Sequence, residues 1–350
     1  MSARLLSPGE PAPWFAARSS VNPIFNFDTV GGRYVVLCLF GSTTDPVGGR
    51  IFAGLSRAEA FFDRAGAVLF GVSTDPADES RGLPPRPVLF WDTDRTVSRL
   101  FGDRPQTLVL DERLRVVARR EFTDGPDAHV TAVLGLLAGL PAPGLPTPAA
   151  VQAPVLIVPR VFEPELCQTL IHYYEERGGE DSGFMRDVDG KTVGIIDYAH
   201  KRRRDQEIED ADLRKTCMHR IHDRLVPEIH KAFQFRATRM ERYIVACYTA
   251  ADGGHFRAHR DNTTKGTAHR RFAVSLVLNT GAFEGGFLRF PEFGPHLYAP
   301  PAGGAVVFSC SLLHEATPVT RGNRFVFLPF LYDDAAARVR EENQKFLAAP

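Results

Sequence analysis

Apolar positions along the chain fall into two textures. In the first part, Tyr34 to Phe40, Ala67 to Val72, Pro87 to Trp91 and Thr107 to Leu110 are short apolar runs of strand length, with a helical pattern at Arg57 to Arg64 between two of them. Such runs, spaced by helical stretches, predict an α/β layer. Further on, Leu166, Leu170, Ile171 and Tyr174 recur at helical spacing between Pro164 and Gly178-Gly179. This predicts a helix with a proline in its first turn and a glycine stop. Asp212 to Phe233 gives a second helical pattern, broken or kinked at Pro227. From Met240 onward the pattern is one of strands: Tyr243 to Tyr248, Phe272 to Leu278, Phe287 to Phe290, Ala305 to Phe308 and Phe325 to Leu331. Gly and Pro turns join them, so the expectation is an all-β barrel or sandwich with helices laid outside.

The boundary between these textures is the stretch Leu140 to Pro154, with five prolines in fifteen residues. Prolines at that density forbid helix and sheet interiors and favour an extended spacer. The expected organisation is an α/β domain over residues 1–139, a linker over 140–154, a β-rich domain over 155–335 and a helical tail over 336–350. A chain of 350 residues is long enough for two cores. All lysines follow the boundary, the first being Lys191, and no internal repeat is present.

Charge is balanced, 42 basic against 42 acidic residues, so no global field draws the chain to nucleic acid or an anionic membrane. The basic run Lys201-Arg202-Arg203-Arg204 precedes an acidic stretch and reads as a solvated loop. Five cysteines (Cys38, Cys167, Cys217, Cys247, Cys310) are scattered without C-x-x-C spacing, which argues against disulfides and thiolate zinc sites. The first twenty residues carry early prolines and no apolar core of a secretory signal. The longest largely apolar run, Val130 to Leu140, falls short of the roughly 20 residues that span a bilayer. A cytoplasmic protein is therefore expected, with a small-molecule, amino-acid or peptidyl substrate as its partner and a homodimer left open.

In the first part the strings PGEPAPWF, VVLCLFGSTTDP, AVLFGVSTDP and PQTLVLDERLRVVA resemble a peroxiredoxin, over nearly all of residues 5 to 122. The resemblance implies a thioredoxin-like α/β fold. In that family a Thr-x-x-Cys segment follows the strand, whereas Thr44-Asp45-Pro46-Val47 places valine at the matching position. Peroxide reduction needs an accessible sulfur of low pKa. Cys38 sits inside an apolar strand pattern and reads as a packed structural residue. Arg104 lies near the family's thiolate-stabilising arginine, without a thiolate to act on. The expectation is a redoxin fold without peroxidase activity.

The second part holds His259-Arg260-Asp261, then His314 about fifty residues on, then Arg324. An iron that must bind both an organic co-substrate and dioxygen can give protein only three of its positions, and two imidazoles with one carboxylate suit Fe(II). On an extended segment His259 and Asp261 project to one face. His255, His269 and His296 compete on distance alone, but none has a carboxylate two residues on.

Around the triplet run Tyr248 to Phe256, the strand RFAVSLVLN, Glu284-Gly285-Gly286-Phe287 to Pro291, Pro301 to Phe308, His314 to Val319 and Gly322-Asn323-Arg324-Phe325. This ordered set resembles the prolyl 4-hydroxylase-like branch of the Fe(II)- and 2-oxoglutarate-dependent dioxygenases, from about Leu156 to Tyr332. The resemblance implies a double-stranded β-helix (jelly roll), Fe(II) held by His259, Asp261 and His314, and Arg324 on the 5-carboxylate of 2-oxoglutarate. A guanidinium fork matches a carboxylate bidentately, which is the physical reason for arginine there. Tyr248 matches a pocket tyrosine of the hypoxia-sensing members, while a second co-substrate tyrosine aligns with Val277 here. The carboxylate of Asp261 favours hydroxylation over halogenation. The implied function is hydroxylation of a prolyl residue, amino acid or related small molecule. The implied cofactors are Fe(II), 2-oxoglutarate and O2, with ascorbate as an accessory reductant and succinate and CO2 as co-products. The alternative is a non-catalytic binding or scaffold protein with a degenerate redoxin domain; a thiol peroxidase is disfavoured by the missing cysteine. Asp181 to Arg204 falls where this family has a mobile loop over substrate, and reads equally as a solvated hairpin. Within it Tyr198, His200, Lys201 or Arg202 could touch substrate.

Overall fold

A computed structural model describes residues 4–82, 86–142, 144 and 151–347. The chain divides into two compact units, Met1–Thr147 and Pro148–Pro350. Residues 143 and 145–150 of the proline-rich segment expected between domains lie outside the described residues.

The first unit is a five-stranded sheet in the order Val88–Trp91, Ala67–Ser73, Tyr34–Gly41, Gln106–Leu110, Val116–Glu121. The first three run parallel and the last two are joined antiparallel, which is the thioredoxin-like arrangement. Because side chains alternate along a strand, Val35, Leu37 and Leu39 enter one core and Val36, Cys38 and Phe40 the other. That is why the central strand reads as an unbroken apolar run. The helical pattern expected at Arg57 to Arg64 is the helix Glu59–Arg64, and a further helix, Gly48–Ser56, precedes it. The glycine-rich start hid the earlier one. A Cβ on Gly48 or Gly49 would run into the carbonyl oxygen of Phe40 or Thr43, so the helix begins pressed against the strand that precedes it.

In the second unit Pro164–Arg177 is a helix that ends at Gly178 with φ +70. The long pattern ending at Phe233 divides into Ala211–Arg224 and Val226–Phe233, because Pro227 fits only the first turn of a new helix. Two antiparallel sheets follow, in the manner of a jelly roll. The larger runs Arg239–Glu241, Phe330–Tyr332, Phe272–Val277, Asn323–Phe327, Ile244–Thr249, Arg204–Glu207, Glu180–Asp181, with Ala305–Ser309 and Leu156–Val158 joined to it. The smaller runs Lys201–Arg202, His255–His259, His314–Ala316, Leu288–Arg289, Leu297–Tyr298. The stretch expected as one strand from Phe325 to Leu331 is two, separated at Pro329, whose missing N–H interrupts the ladder.

Alternation again sorts the side chains. Val245 and Cys247 face the helices, whereas Ile244, Ala246 and Tyr248 face the smaller sheet and meet Phe256 and Ala316 there. A helix Asp334–Asn343 closes the unit, starting two residues before the expected tail. Among the described residues no helix is long and apolar enough to cross a membrane.

Candidate metal centre and co-substrate pocket

A cavity of about 630 Å³ lies between the two sheets of the second unit. His259 ends its strand directly opposite His314, the first residue of the neighbouring one. Asp261 lies just past the strand end, where its N–H donates to the Cys310 carbonyl at 3.0 Å. Between them Arg260 turns outward to Glu292 at 2.7 Å, so the alternation read from the sequence holds across the triplet. The nitrogens and carboxylate oxygens of His259, Asp261 and His314 lie within 4.8 Å of one another. His259 Nε2 is 3.6 Å from Asp261 Oδ1, and His314 Nε2 is 3.4 Å from Oδ2. Neighbouring donors on a metal with bonds of about 2.1 Å stand roughly 3 Å apart, so this cluster needs only a small contraction to hold one.

The tautomers fit as well. His259 Nδ1 lies 2.7 Å from the Arg257 carbonyl and His314 Nδ1 lies 3.0 Å from the Leu312 carbonyl. A carbonyl oxygen only accepts, so each Nδ1 carries a proton, which leaves Nε2, facing the common centre, as the nitrogen able to bind a metal. Rings fix both imidazoles: His259 stacks on Phe256 at 3.5 Å, and Phe308 lies 4.5 Å from His314. Burial pushes His314 down to about 4, against the pull of Asp261, so it is neutral at pH 7. Burial alone would raise the Asp261 carboxyl, but His314 and His259 together hold it well below the usual range. Two neutral imidazoles and one carboxylate are the forms a divalent ion binds.

Arg324 and Tyr248 are cross-strand partners on the larger sheet, and both line the cavity. The Arg324 guanidinium lies 5.1 Å from the Tyr248 ring centroid, and its Nη2 donates to Ser275 Oγ at 3.1 Å. Only 3% exposed, it meets no carboxylate among the described residues. Its aliphatic stem lies against Gly286 at φ +63, where a Cβ would stand 2.7 Å from Arg324 Cδ. Val277 is buried in the core beside Tyr248 and does not line the cavity.

Of the competing histidines, His255 bonds to the Gly253 and Ala199 carbonyls, His269 pairs with Glu241 at 3.0 Å, and His296 is exposed. None joins the triad.

The basic run is not a solvated loop. It forms two strands, with Arg202 and Arg204 outward and Lys201 and Arg203 buried against the cavity. Lys201 Nζ donates to Ser182 Oγ at 2.7 Å and to the Gly183 carbonyl at 2.5 Å, and burial pushes its amine down to about 5. Arg203 grips Asp205 with Nε and Nη2, each at 2.7 Å, and reaches the Tyr248 hydroxyl at 3.4 Å. Arg242 and Arg270 also line the cavity, and the sequence reading had passed over both. Four like charges in a row looked solvated; only the strand pairing shows that every second one points inward.

Asp181 to Arg204 contains a hairpin of Phe184–Val188 with Lys191–Ile195, and residues 183–187 contribute to the cavity wall. His200 lines the cavity against Phe184 and Phe256, whereas Tyr198 is half-exposed and bonds Asp181 at 2.6 Å.

Residues 243–332 match the family model of the 2OG-Fe(II) oxygenase superfamily. The matched residues lie within the second unit and include His259, Asp261, His314 and Arg324. Over 112 residues, 30% of this chain and 47% of the relative, the chain is 36% identical to a PKHD-type hydroxylase of Pseudomonas fluorescens. The chain spans about half the length of curated relatives it matches. Among solved structures, a prolyl-4-hydroxylase of Pseudomonas putida is 19% identical with a TM-score of 0.39, covering 52% of this chain and 93% of that one. The peroxidoxin BcpB of Mycobacterium tuberculosis is 19% identical with a TM-score of 0.34, covering 39% of this chain and 99% of that one. In the first unit Cys38 is fully buried and its thiol pushed up to about 12 by burial, and Val47 stands just before the helix at Gly48.

Proposed function

We propose that the chain is an Fe(II)- and 2-oxoglutarate-dependent dioxygenase that hydroxylates a prolyl residue, an amino acid or a related small molecule. The observation that carries this reading is the convergence of two imidazole Nε2 atoms and one carboxylate in a cavity that also holds a buried arginine with no carboxylate partner among the described residues. His259, Asp261 and His314 would hold iron, and Arg324, steadied by Ser275 and lying against Tyr248, would take the distal carboxylate of 2-oxoglutarate. Iron and 2-oxoglutarate together supply an oxidant able to hydroxylate a C–H bond, with one oxygen atom of O2 going to product and the other to succinate as CO2 leaves. The protein's own part is placement. Strand pairing sets the two imidazoles, the carbonyls of Arg257 and Leu312 orient their Nδ1–H groups, and Phe256, Phe308 and Leu288 give the cavity that holds the triad an apolar wall.

Anaerobic titration of the protein with Fe(II) and 2-oxoglutarate tests this reading. A visible metal-to-ligand charge-transfer band that is lost in His259→Ala is the expected result. No band with iron demonstrably bound would overturn it in favour of a non-catalytic scaffold.

A further inference from the structure

The cavity holds more cationic surface than iron chemistry requires. Arg242 and Arg270 lie against the same ring, with guanidinium carbons 5.5 Å and 4.0 Å from the Phe330 centroid. Each is only partly neutralised. Arg242 touches Asp205 through Nη2 alone at 3.2 Å, and both oxygens of that carboxylate are already taken by Arg203. Arg270 touches Glu241 through Nε alone at 2.8 Å, while Glu241 is shared with His269 and Arg340. The remaining guanidinium nitrogens of Arg242 and Arg270 have no hydrogen bond among the described residues. Both side chains line the cavity.

The backbone is bent to achieve this. Arg242 stands at φ +65 between the strands Arg239–Glu241 and Ile244–Thr249, a conformation that costs a long side chain free energy. The bend lets neighbouring residues serve one place, Glu241 behind Arg270 and Arg242 beside it. Contacts run from the co-substrate arginine to this pair in sequence: Arg324 over Tyr248, Tyr248 to Arg203, Arg203 to Asp205, Asp205 to Arg242. The two cationic groups are thus separate stations in one pocket. A cavity of about 630 Å³ is larger than a five-carbon diacid fills.

We infer that Arg242 and Arg270 form a carboxylate-binding subsite for the substrate, so that the molecule oxidised is itself a carboxylic acid. The inference rests on the oxygenase reading, which assigns Arg324 to 2-oxoglutarate. Two forks flanking an aromatic ring match a carboxylate attached to a small apolar body, such as an amino acid acylated or free at nitrogen. Partly buried arginines that share their counter-charges are stabilised by an incoming anion and disfavour a neutral isostere, which leaves their donors unpaired.

The test is calorimetric titration of the full chain, with Mn(II) as a redox-inert metal and with or without saturating 2-oxoglutarate. The probes are N-acetylglycine, N-acetyl-L-proline, N-acetyl-L-glutamate, the corresponding free amino acids, a tripeptide with a free C-terminus, and the carboxamide of each. The expected result is that at least one acid binds about tenfold or more tighter than its carboxamide. Arg242→Gln and Arg270→Gln should each erase that preference while weakening 2-oxoglutarate less than the acid. The source shows in the small acids against the tripeptide. Equal binding of acids and carboxamides, no binding by any acid, or an acid preference that survives both substitutions overturns the subsite. The acid-to-amide comparison on the unsubstituted chain stands even if a variant fails to fold. Failure of the oxygenase reading shows separately, as an absence of 2-oxoglutarate binding or its indifference to Arg324→Gln.

Discussion

Arg203 and Asp205 stand two residues apart and form a two-pronged ion pair, Nε to Oδ1 and Nη2 to Oδ2, with side-chain exposures of 4% and 16%. Asp205 also receives Arg242 at 3.2 Å, so one carboxylate holds two guanidinium groups at the cavity wall. Removing one partner of a buried pair leaves the others uncompensated, at a cost of about 3–5 kcal/mol. Asp205→Asn keeps the shape and deletes the charge, and should lower the stability of the second unit by an amount in that range. Chemical denaturation monitored on that unit checks it; a change under about 1 kcal/mol would mean that solvent already screens the pair.

Asp261 contributes little to packing and much to the charge of the proposed metal centre, because its oxygens lie 3.4–3.6 Å from the two imidazoles rather than at close hydrogen-bond distance. Asp261→Ala is therefore expected to keep the far-ultraviolet circular dichroism of the native chain while iron content and succinate formation fall to background. Iron bound at full stoichiometry in that variant would remove Asp261 from the ligand set.

What was legible in the sequence was whatever depends on local periodicity. The period of two put His259 and Asp261 on one side and Arg260 on the other, and the structure keeps that division. The unbroken apolar run from Tyr34 predicted a strand of an α/β layer, and the structure has that strand at the centre of the five-stranded sheet. What failed depends on partners distant in sequence. Lys201 and Arg203 look no different from Arg202 and Arg204 until the strand at His255–His259 and the strand at Ile244–Thr249 pair with them. Arg242 offers no signal at all, since its left-handed turn at φ +65 occurs at a residue type that rarely adopts it. The start of the helix at Gly48 was hidden for the opposite reason: glycines that read as a loop are there because strand carbonyls lie against them.

Glu241 gives the second unit an acid limit. Burial would raise its carboxyl, but His269 and Arg270 outweigh that and hold it down at about 2, against 4.5 when unfolded. A carboxylate depressed on folding contributes stability that is fully present above its unfolded pKa and is lost as pH falls toward the folded one. The window is therefore pH 4.5 to 2, and the contribution at neutral pH is about 3 kcal/mol as an upper figure. Asp205, also held down to about 2 by Arg203 and Arg242 against its burial, adds a second loss over a slightly lower window. Thermal unfolding followed from pH 7 to pH 3 should show a steep fall below about pH 4.5. Glu241→Gln should be less stable at pH 7 and show a shallower fall; an unchanged slope would mean that the carboxylate is not depressed in the folded chain.

The hairpin at the cavity mouth is tied down at Thr192. Its hydroxyl donates to Asp187 Oδ1 at 2.5 Å and accepts from the Gly266 N–H at 2.9 Å, and Asp187 in turn accepts from the Lys265 N–H at 3.2 Å. The terminal segment adds a further tie, as Lys191 Nζ donates to the Lys345 carbonyl at 2.7 Å. Thr192→Val preserves side-chain shape but deletes both hydroxyl bonds, leaving a backbone N–H without its partner at a cost of about 1–2 kcal/mol. That cost falls on a local opening and not on the whole unit, because among the described residues the hairpin forms a separate two-stranded sheet, with a single backbone bridge from Thr192 to Leu347 beyond it. Trypsin should then cut after Arg186 and Lys191 about tenfold faster than in the unsubstituted chain, since cleavage tracks the population of the open form. If 2-oxoglutarate and a carboxylic-acid ligand bind beneath the hairpin, whose residues 183–187 line the cavity, they should slow those same cuts in both chains. Protection without them, or none with them, would show that the hairpin is fixed by Thr192 alone and does not respond to what the cavity holds.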